Sequence, residues 1–345
     1  MNKTRYKVQG HVLTKREPLS LNSCFSESPC EFVTAGLISP PALSFIKMAH
    51  FYSLAVLAFA GGWCLCAADV GDFAPCLQVF YKSWPPKGLT GTPICQRYYN
   101  QYRFATLYSR PRRSPWFSAY LYTVPAGKRP TSSWKFEPQL AYPGADGNMI
   151  PFPPGPLDQN VVDSQAVELD YINSTYSRGH LNPSLHHQSH EDRAATFTLT
   201  NVVPQKAGSN DGPWEFLEQT VNKTLAAYCL GEAHTVTGII PYQSDDHWLK
   251  NHRVAVPEYM WSAYCCPNYN HSLPENLRAA FPTYAAIGRN DRNSTEDIVP
   301  VDKTAKKQFR GYDVRQMPLE TLEMYLKDRF NTVVSVFYEQ CSGSD

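Results

Sequence analysis

The sequence holds three short pieces whose residue types can do chemistry together: Ser177-Arg-Gly-His-Leu-Asn-Pro183, Thr200-Asn-Val-Val-Pro-Gln205 and Ser209-Asn-Asp-Gly-Pro-Trp-Glu-Phe-Leu-Glu218. Histidine is the natural general base at neutral pH, so His180 is the candidate proton acceptor. Arg178 beside it offers the planar fork that suits a phosphate and its developing charge. Asn210 and Glu218 supply hard oxygens of the kind Mg²⁺ accepts while it keeps several waters. Base, guanidinium and hard-metal oxygens in one place suit metal-assisted phosphodiester hydrolysis.

Those side chains must be positioned by regular elements. His180 is expected on a strand or turn, and Asn201 on a return strand. Thr196–Val203 reads as that strand, with Phe197, Leu199, Asn201 and Val203 on one face, so the Asn201 amide needs hydrogen-bond partners. Pro213 opens a helix in which Trp214, Leu217, Val221, Leu225 and Tyr228 form an apolar stripe, ending near Gly231. Further strands are expected at Arg103–Ser109, Trp116–Val124, Thr235–Ile240, Val254–Tyr264 and Thr332–Tyr338. Leu319, Leu322, Leu326 and Phe330 mark a late helix, and Pro125–Asp163 reads as irregular loop. Strands and helices mix without βαβ alternation, so the class is α+β.

The order R-G-H-x-x-P, T-N-x-x-P-Q, N-x-G-x-W-x-x-L-E resembles the DNA/RNA non-specific endonuclease family, and the likeness covers nearly everything from Ala68 onward. It implies a ββα-metal (His-Me finger) fold with a mixed or antiparallel central sheet, flanking helices and long loops. By the same resemblance His180 is the general base and Arg178 stabilises the transition state. Asn210 is the direct Mg²⁺ ligand, with Mn²⁺ as a substitute. Glu218 holds a water of the metal, and Asn201 helps fix the site. Arg129, ahead of Trp134-Lys135, resembles a phosphate-contacting arginine. The implied activity is endonucleolytic cutting of DNA and RNA without regard to sequence. Many members carry Asp where Ser177 stands. That departure feeds a second reading, a nuclease-fold protein with little or no turnover that binds nucleic acid or protein. A phosphodiesterase of small substrates is a third.

Composition sets the frame. The chain has 345 residues, 43% hydrophobic and 18% charged, which supports a large core and excludes global disorder. A formal charge of +1 excludes a uniformly basic nucleic-acid coat. The charge is unevenly spread, however. Between Phe73 and Phe136 there is no Asp or Glu in 64 residues, against ten Lys and Arg. Such segregation builds a local field that attracts a polyanion. With the family resemblance in hand, Arg110, Arg112, Arg113 and Arg129 are expected to contact phosphate. His186, His187 and His190 match no zinc spacing and are expected to be loop residues.

Phe51–Ala68 carries no charge, follows Lys47 and ends in small residues, a signal-peptide pattern. The expected organisation is an upstream, poorly ordered extension over 1–47, a signal peptide over 48–67, and one nuclease domain over 68–345 without a stable membrane span. Six cysteines follow the expected cut, with Cys76–Cys95 the expected local bridge and the Cys265-Cys266 doublet split between two links. Beyond the expected cut stand four N-x-S/T sequons, at Asn173, Asn222, Asn270 and Asn293, which fit a secreted glycoprotein.

Overall fold

The computed structural model describes residues 69–244, 247–295 and 298–342. The expected extension and signal peptide lie outside the described residues. Nine strands matter here: β1 Thr92–Tyr98, β2 Gln101–Ser109, β3 Ser114–Tyr122, β4 Tyr176–His180, β5 Val202–Lys206, β6 Ala233–Pro241, β7 Pro257–Cys265, β8 Thr283–Arg289 and β9 Val314–Met317. Four helices matter with them: α1 His190–Ala195, α2 Ala207–Asn210, α3 Pro213–Tyr228 and α4 Leu319–Phe330.

Seven strands form a sheet in the order β1-β2-β3-β6-β7-β8-β9, antiparallel at every step. Both faces are covered, so the central strands are buried nearly throughout, and the side-chain period of two sorts each strand between two cores. Ile240, Trp261 and Ile287 face Leu319, Leu322 and Leu326 of α4 together with Val79 and Phe80 of the N-terminal segment. Ile239, Met260 and Ala286 face the opposite way, onto Trp214, Leu217, Val221 and Leu225 of α3. β4 and β5 pair separately as an antiparallel ladder, with His180 opposite Val202. The succession β4, β5, α3 is the expected ββα unit.

The cysteines obey the same alternation. Cys265 lies in the α4-side core and Cys266 in the α3-side core. The doublet therefore makes two links, Cys265–Cys341 and Cys229–Cys266, while Cys76–Cys95 ties the N-terminal segment to β1.

The structure corrects several element boundaries. Thr196–Val203 is not one strand: Leu199–Asn201 is a 3-10 turn and β5 begins at Val202. Side-chain bonds to the backbone compete with the ladder there, since Thr196 Oγ1 donates to Arg193 O and Asn201 Nδ2 to Thr196 O. Helix α3 ends at Tyr228, because Cys229 turns extended and bonds to Cys266. The expected strand at 254–264 divides: Val254–Ala255 pairs with Trp248–Leu249, and β7 starts at Pro257. Thr332–Tyr338 forms no strand. Ser335 makes a single bridge to Lys87, and the chain then curls into a 3-10 turn that carries Cys341 to Cys265. The 125–163 stretch contains a short pair, Lys135–Phe136 with Ile150–Pro151, and two short helices, Pro138–Ala141 and Gln159–Ser164.

Candidate active site

In β4 the residues alternate faces, so the single glycine between Arg178 and His180 sets both on the same side. Ser177 faces the other way, and its Oγ donates to Gln205 O at 2.9 Å. Gly179 is required by close approach: a Cβ there would lie 2.2 Å from Gln205 Oε1 and 2.6 Å from its Cβ. The motif's glycine thus lets β5 close against β4 while the flanking Arg and His point into the open.

That opening is a cleft of about 410 Å³, walled on one side by β4 and on the other by α2 and the first turns of α3. Arg178, His180, Asn210, Glu218 and Arg129 all line it. Asn210 ends α2, just before Gly212. A Cβ on Gly212 would come within 2.5 Å of Phe309 Cδ1, so the tight passage from α2 into α3 depends on this glycine. Asn210 Nδ2 donates to Asp211 Oδ1 at 2.8 Å, and among the described residues no donor engages its Oδ1. Glu215, Gln219, Asn222 and Lys223 line the cleft from α3 with Glu218, and Asp211 lines it from the turn between α2 and α3.

His180 sits between aromatic rings, 5.5 Å from Trp134 and 5.2 Å edge-on from Phe197. Burial, aided by the Arg129 charge, lowers the imidazole to about 3, so it is neutral at physiological pH. Its Nε2 has no hydrogen-bond partner among the described residues, and neither has Arg178 Nε. The Arg178 guanidinium lies over the Trp134 ring at 5.0 Å and that of Arg129 over Phe197 at 5.1 Å. Burial, reinforced by the Glu215 charge, raises Glu218 to about 8.

Several supports were not legible as such. Asn201 does not line the cleft. It is fully buried; its Oδ1 accepts from Asn182 N and its Nδ2 donates to Asn182 O, both at 3.0 Å. It therefore fixes the turn directly after His180. His187 Nε2 holds the Asn182 side chain at 2.6 Å. His186 bridges β3 to the cleft helix: its Nε2 must donate to the Glu218 carbonyl at 3.0 Å, so its Nδ1 accepts from Tyr120 Oη at 2.8 Å. Both imidazoles are buried rather than exposed on a loop, and burial keeps them neutral. Arg193 on α1 lines the cleft from below, and its Nη1 donates to Ala126 O and Gly127 O, holding the loop that carries Arg129. Nothing in the motif spacing pointed to Arg193. Glu215 and Asn222 could have been found by stepping three or four residues from Glu218 along a helix, and Gln219 by stepping four from Glu215.

Arg110, Arg112 and Arg113 occupy the β2–β3 turn and do not line the cleft. Arg110 donates to Leu140 O at 2.6 Å, and Arg113 to Asp163 O and Arg253 O, both at 3.2 Å. Arg112 lies between the Trp116 and Trp248 rings at 5.3 and 5.4 Å. Much of the other basic charge of this segment is also engaged inside the molecule. Arg97 pairs with Asp69 and Arg103 with Asp192, carboxylates from outside the segment. The field that the sequence pattern implies is thus partly cancelled by the fold.

A model of the DNA/RNA non-specific endonuclease family matches residues 88–319. The chain belongs to that family. The human endonuclease domain-containing 1 protein is 35% identical over 210 residues, covering 59% of this chain and 41% of its own length. Its mouse counterpart is 33% identical over 201 residues, or 56% and 39%. A nuclease of Nostoc sp. is 31% identical over 156 residues, 45% of this chain and 51% of that protein. The chain thus spans between about two fifths and one half of these relatives. A solved complex of EndoG with EndoGI aligns at a TM-score of 0.44 and 18% identity, covering 66% of this chain and 81% of that one.

The non-specific endonucleases work with a divalent cation, and the residues here fit one. Among the described residues no trio of His, Cys, Asp or Glu gathers to enclose a metal. The Asn210 carboxamide and the Glu218 carboxyl instead offer two hard oxygens on one wall, which suits an ion that keeps most of its water.

Proposed function

We propose that this chain is a secreted endonuclease that hydrolyses phosphodiester bonds of DNA and RNA with Mg²⁺, and that it does so without reading sequence. The observation that carries the reading is the meeting of Arg178, His180, Asn210, Glu218 and Arg129 in one cleft. Asn210 and Glu218 would hold the cation, which when bound supplies Lewis-acid neutralisation of phosphate charge. Arg178 and Arg129 bind the phosphate oxygens, and Arg178 meets the charge that grows on them during attack. His180 enters neutral, with Nε2 vacant, and takes the proton of the attacking water there. An anionic phosphate beside the ring raises its proton affinity at the moment it is needed. Affinity then comes from phosphate contacts, so binding weakens steeply with salt.

Three disulfides fit an oxidising compartment, and with the signal pattern they support secretion. No described helix is long and apolar enough to cross a membrane. The rival reading of a protein without turnover rests on Ser177, whose side chain is turned to Gln205 and away from the cleft face.

Plasmid degradation by the mature chain tests the assignment. Cutting in Mg²⁺, none in EDTA and none by His180→Ala is the expected result. Tight DNA binding without cutting across several metals and pH values would transfer the assignment to the binding protein.

A further inference from the structure

One of the four sequons differs from the rest in where it stands. Asn173, Asn270 and Asn293 are exposed, outside the helices and sheet strands. Asn222 is on α3 and lines the cleft, four residues beyond Glu218. At helical spacing that is the same face and about 6 Å further along the axis.

The geometry leaves Asn222 open to modification at one atom. Its Oδ1 accepts the Tyr122 hydroxyl at 2.7 Å, which turns the carboxamide and fixes its plane. No hydrogen bond engages its Nδ2 among the described residues. An N-glycan is joined through Nδ2, so the Tyr122 bond survives the attachment. Thr224, which completes the Asn222-Lys-Thr signal, is buried in the folded protein. The signal is therefore readable only on the extended chain, as it enters the secretory pathway and before α3 packs.

We propose that Asn222 carries an N-linked glycan on the wall of the cleft, and that this glycan slows the entry of long duplex while admitting short, flexible strands. In the transfer, the bond from Asn222 Nδ2 to sugar C1 forms. The bond from C1 to the diphosphate of a polyprenyl-diphosphate oligosaccharide breaks. The diphosphate leaves with the electron pair, and the amide proton goes to solvent. A branched sugar rooted one helical turn from Glu218 occupies the space a rigid duplex needs to lay its phosphates against Arg178 and Arg129. A short single strand can bend past it.

The size filter rests on the nuclease reading of the cleft, whereas occupancy of Asn222 does not. The test uses the full chain secreted from a glycosylating eukaryotic cell. Peptide mass spectrometry after enzymatic release in heavy water should find Asn222 occupied. Trimming the native protein to single sugars should raise plasmid cutting about tenfold and leave a short single-stranded oligonucleotide within about twofold. Thr224→Val abolishes the signal yet retains Asn222 and its bond to Tyr122. It should behave as the trimmed protein does, at an unchanged melting temperature. Sugar at the other three sequons with none at Asn222, or equal gains on both substrates after trimming, would overturn the proposal. If neither form cuts either substrate, the nuclease reading fails. Duplex-binding anisotropy, tighter after trimming by about the same factor, then decides the filter alone.

Discussion

The two faces of the central sheet solve opposite problems with similar materials. On the α4 face, Leu319, Leu322 and Leu326 close over Trp261 and Ile287, and two of the three disulfides, Cys76–Cys95 and Cys265–Cys341, lie in that core. On the α3 face, the same depth of apolar packing under Trp214, Leu217 and Val221 supports a rim of polar groups left without partners. The contrast continues in the polar interior behind the cleft. There Glu137 Oε1 accepts from Thr198 and Thr200, and Lys135 Nζ donates to Ser132, Ser133 and Ala194. His180 Nε2 and Arg178 Nε have no such partners. Buried polar groups are ordinarily paired, because an orphan costs about 1–3 kcal/mol. His180 Nε2 and Arg178 Nε, orphaned on residues that line the cleft, are therefore where a ligand is expected.

The division is sharpest at Asn210. Asn210→Ala should abolish cleavage, a loss of about a thousandfold or more, while the thermal transition stays nearly unchanged. An unfolded variant would move Asn210 to the structural side of the division. Breaking the other face should do the reverse. Replacing Cys265 and Cys341 by Ser opens a 76-residue separation and should cost about 4 kcal/mol in denaturant titration, with residual activity per folded molecule intact.

The support behind the cleft makes a pH prediction. Burial raises the Glu137 carboxyl to about 7, opposed by bonds from Thr198 and Thr200; nearby Asp69 adds to the rise and Lys135 subtracts from it. Lys135 itself is lowered by burial to about 8. A carboxyl raised in the folded state contributes fully below its unfolded value and loses that contribution as pH climbs through about 7. Glu137→Gln removes this dependence. Between pH 4.5 and 8 the wild type should therefore lose up to about 3 kcal/mol against the variant, read from paired urea titrations. Parallel curves would mean that Glu137 ionises freely.

The smallest effects separate the arginines. Arg129→Ala should reduce the slope of log affinity against log salt by about one, whereas Arg113→Ala should leave the slope alone and cost about 1 kcal/mol of stability. A lowered slope for Arg113 would place phosphate at the β2–β3 turn.

The residues that meet in the cleft were legible because they are written locally. R-G-H fixes two side chains on one face by the strand period, and Pro213 with its apolar stripe fixes the helix that presents Glu218. Asn201 was legible as a buried amide in need of partners, although its strand proved to be a turn. Thr196, Thr198 and Thr200 have strand-like side chains, yet their hydroxyls go to Arg193 O and to Glu137. No local pattern announces those partners. The arginine cluster misleads for a related reason. Guanidinium groups satisfied by carbonyl oxygens from Leu140, Asp163 and Arg253 look in sequence like groups awaiting phosphate. Long-range acceptors decide that question.

The split cysteine doublet has a mechanical consequence. Cys265 and Cys266 are joined by one peptide bond and leave the sheet in opposite directions, to Cys341 and Cys229. Tension applied at residue 341 thus reaches the far end of α3 through covalent links alone, crossing the sheet without shearing a single ladder.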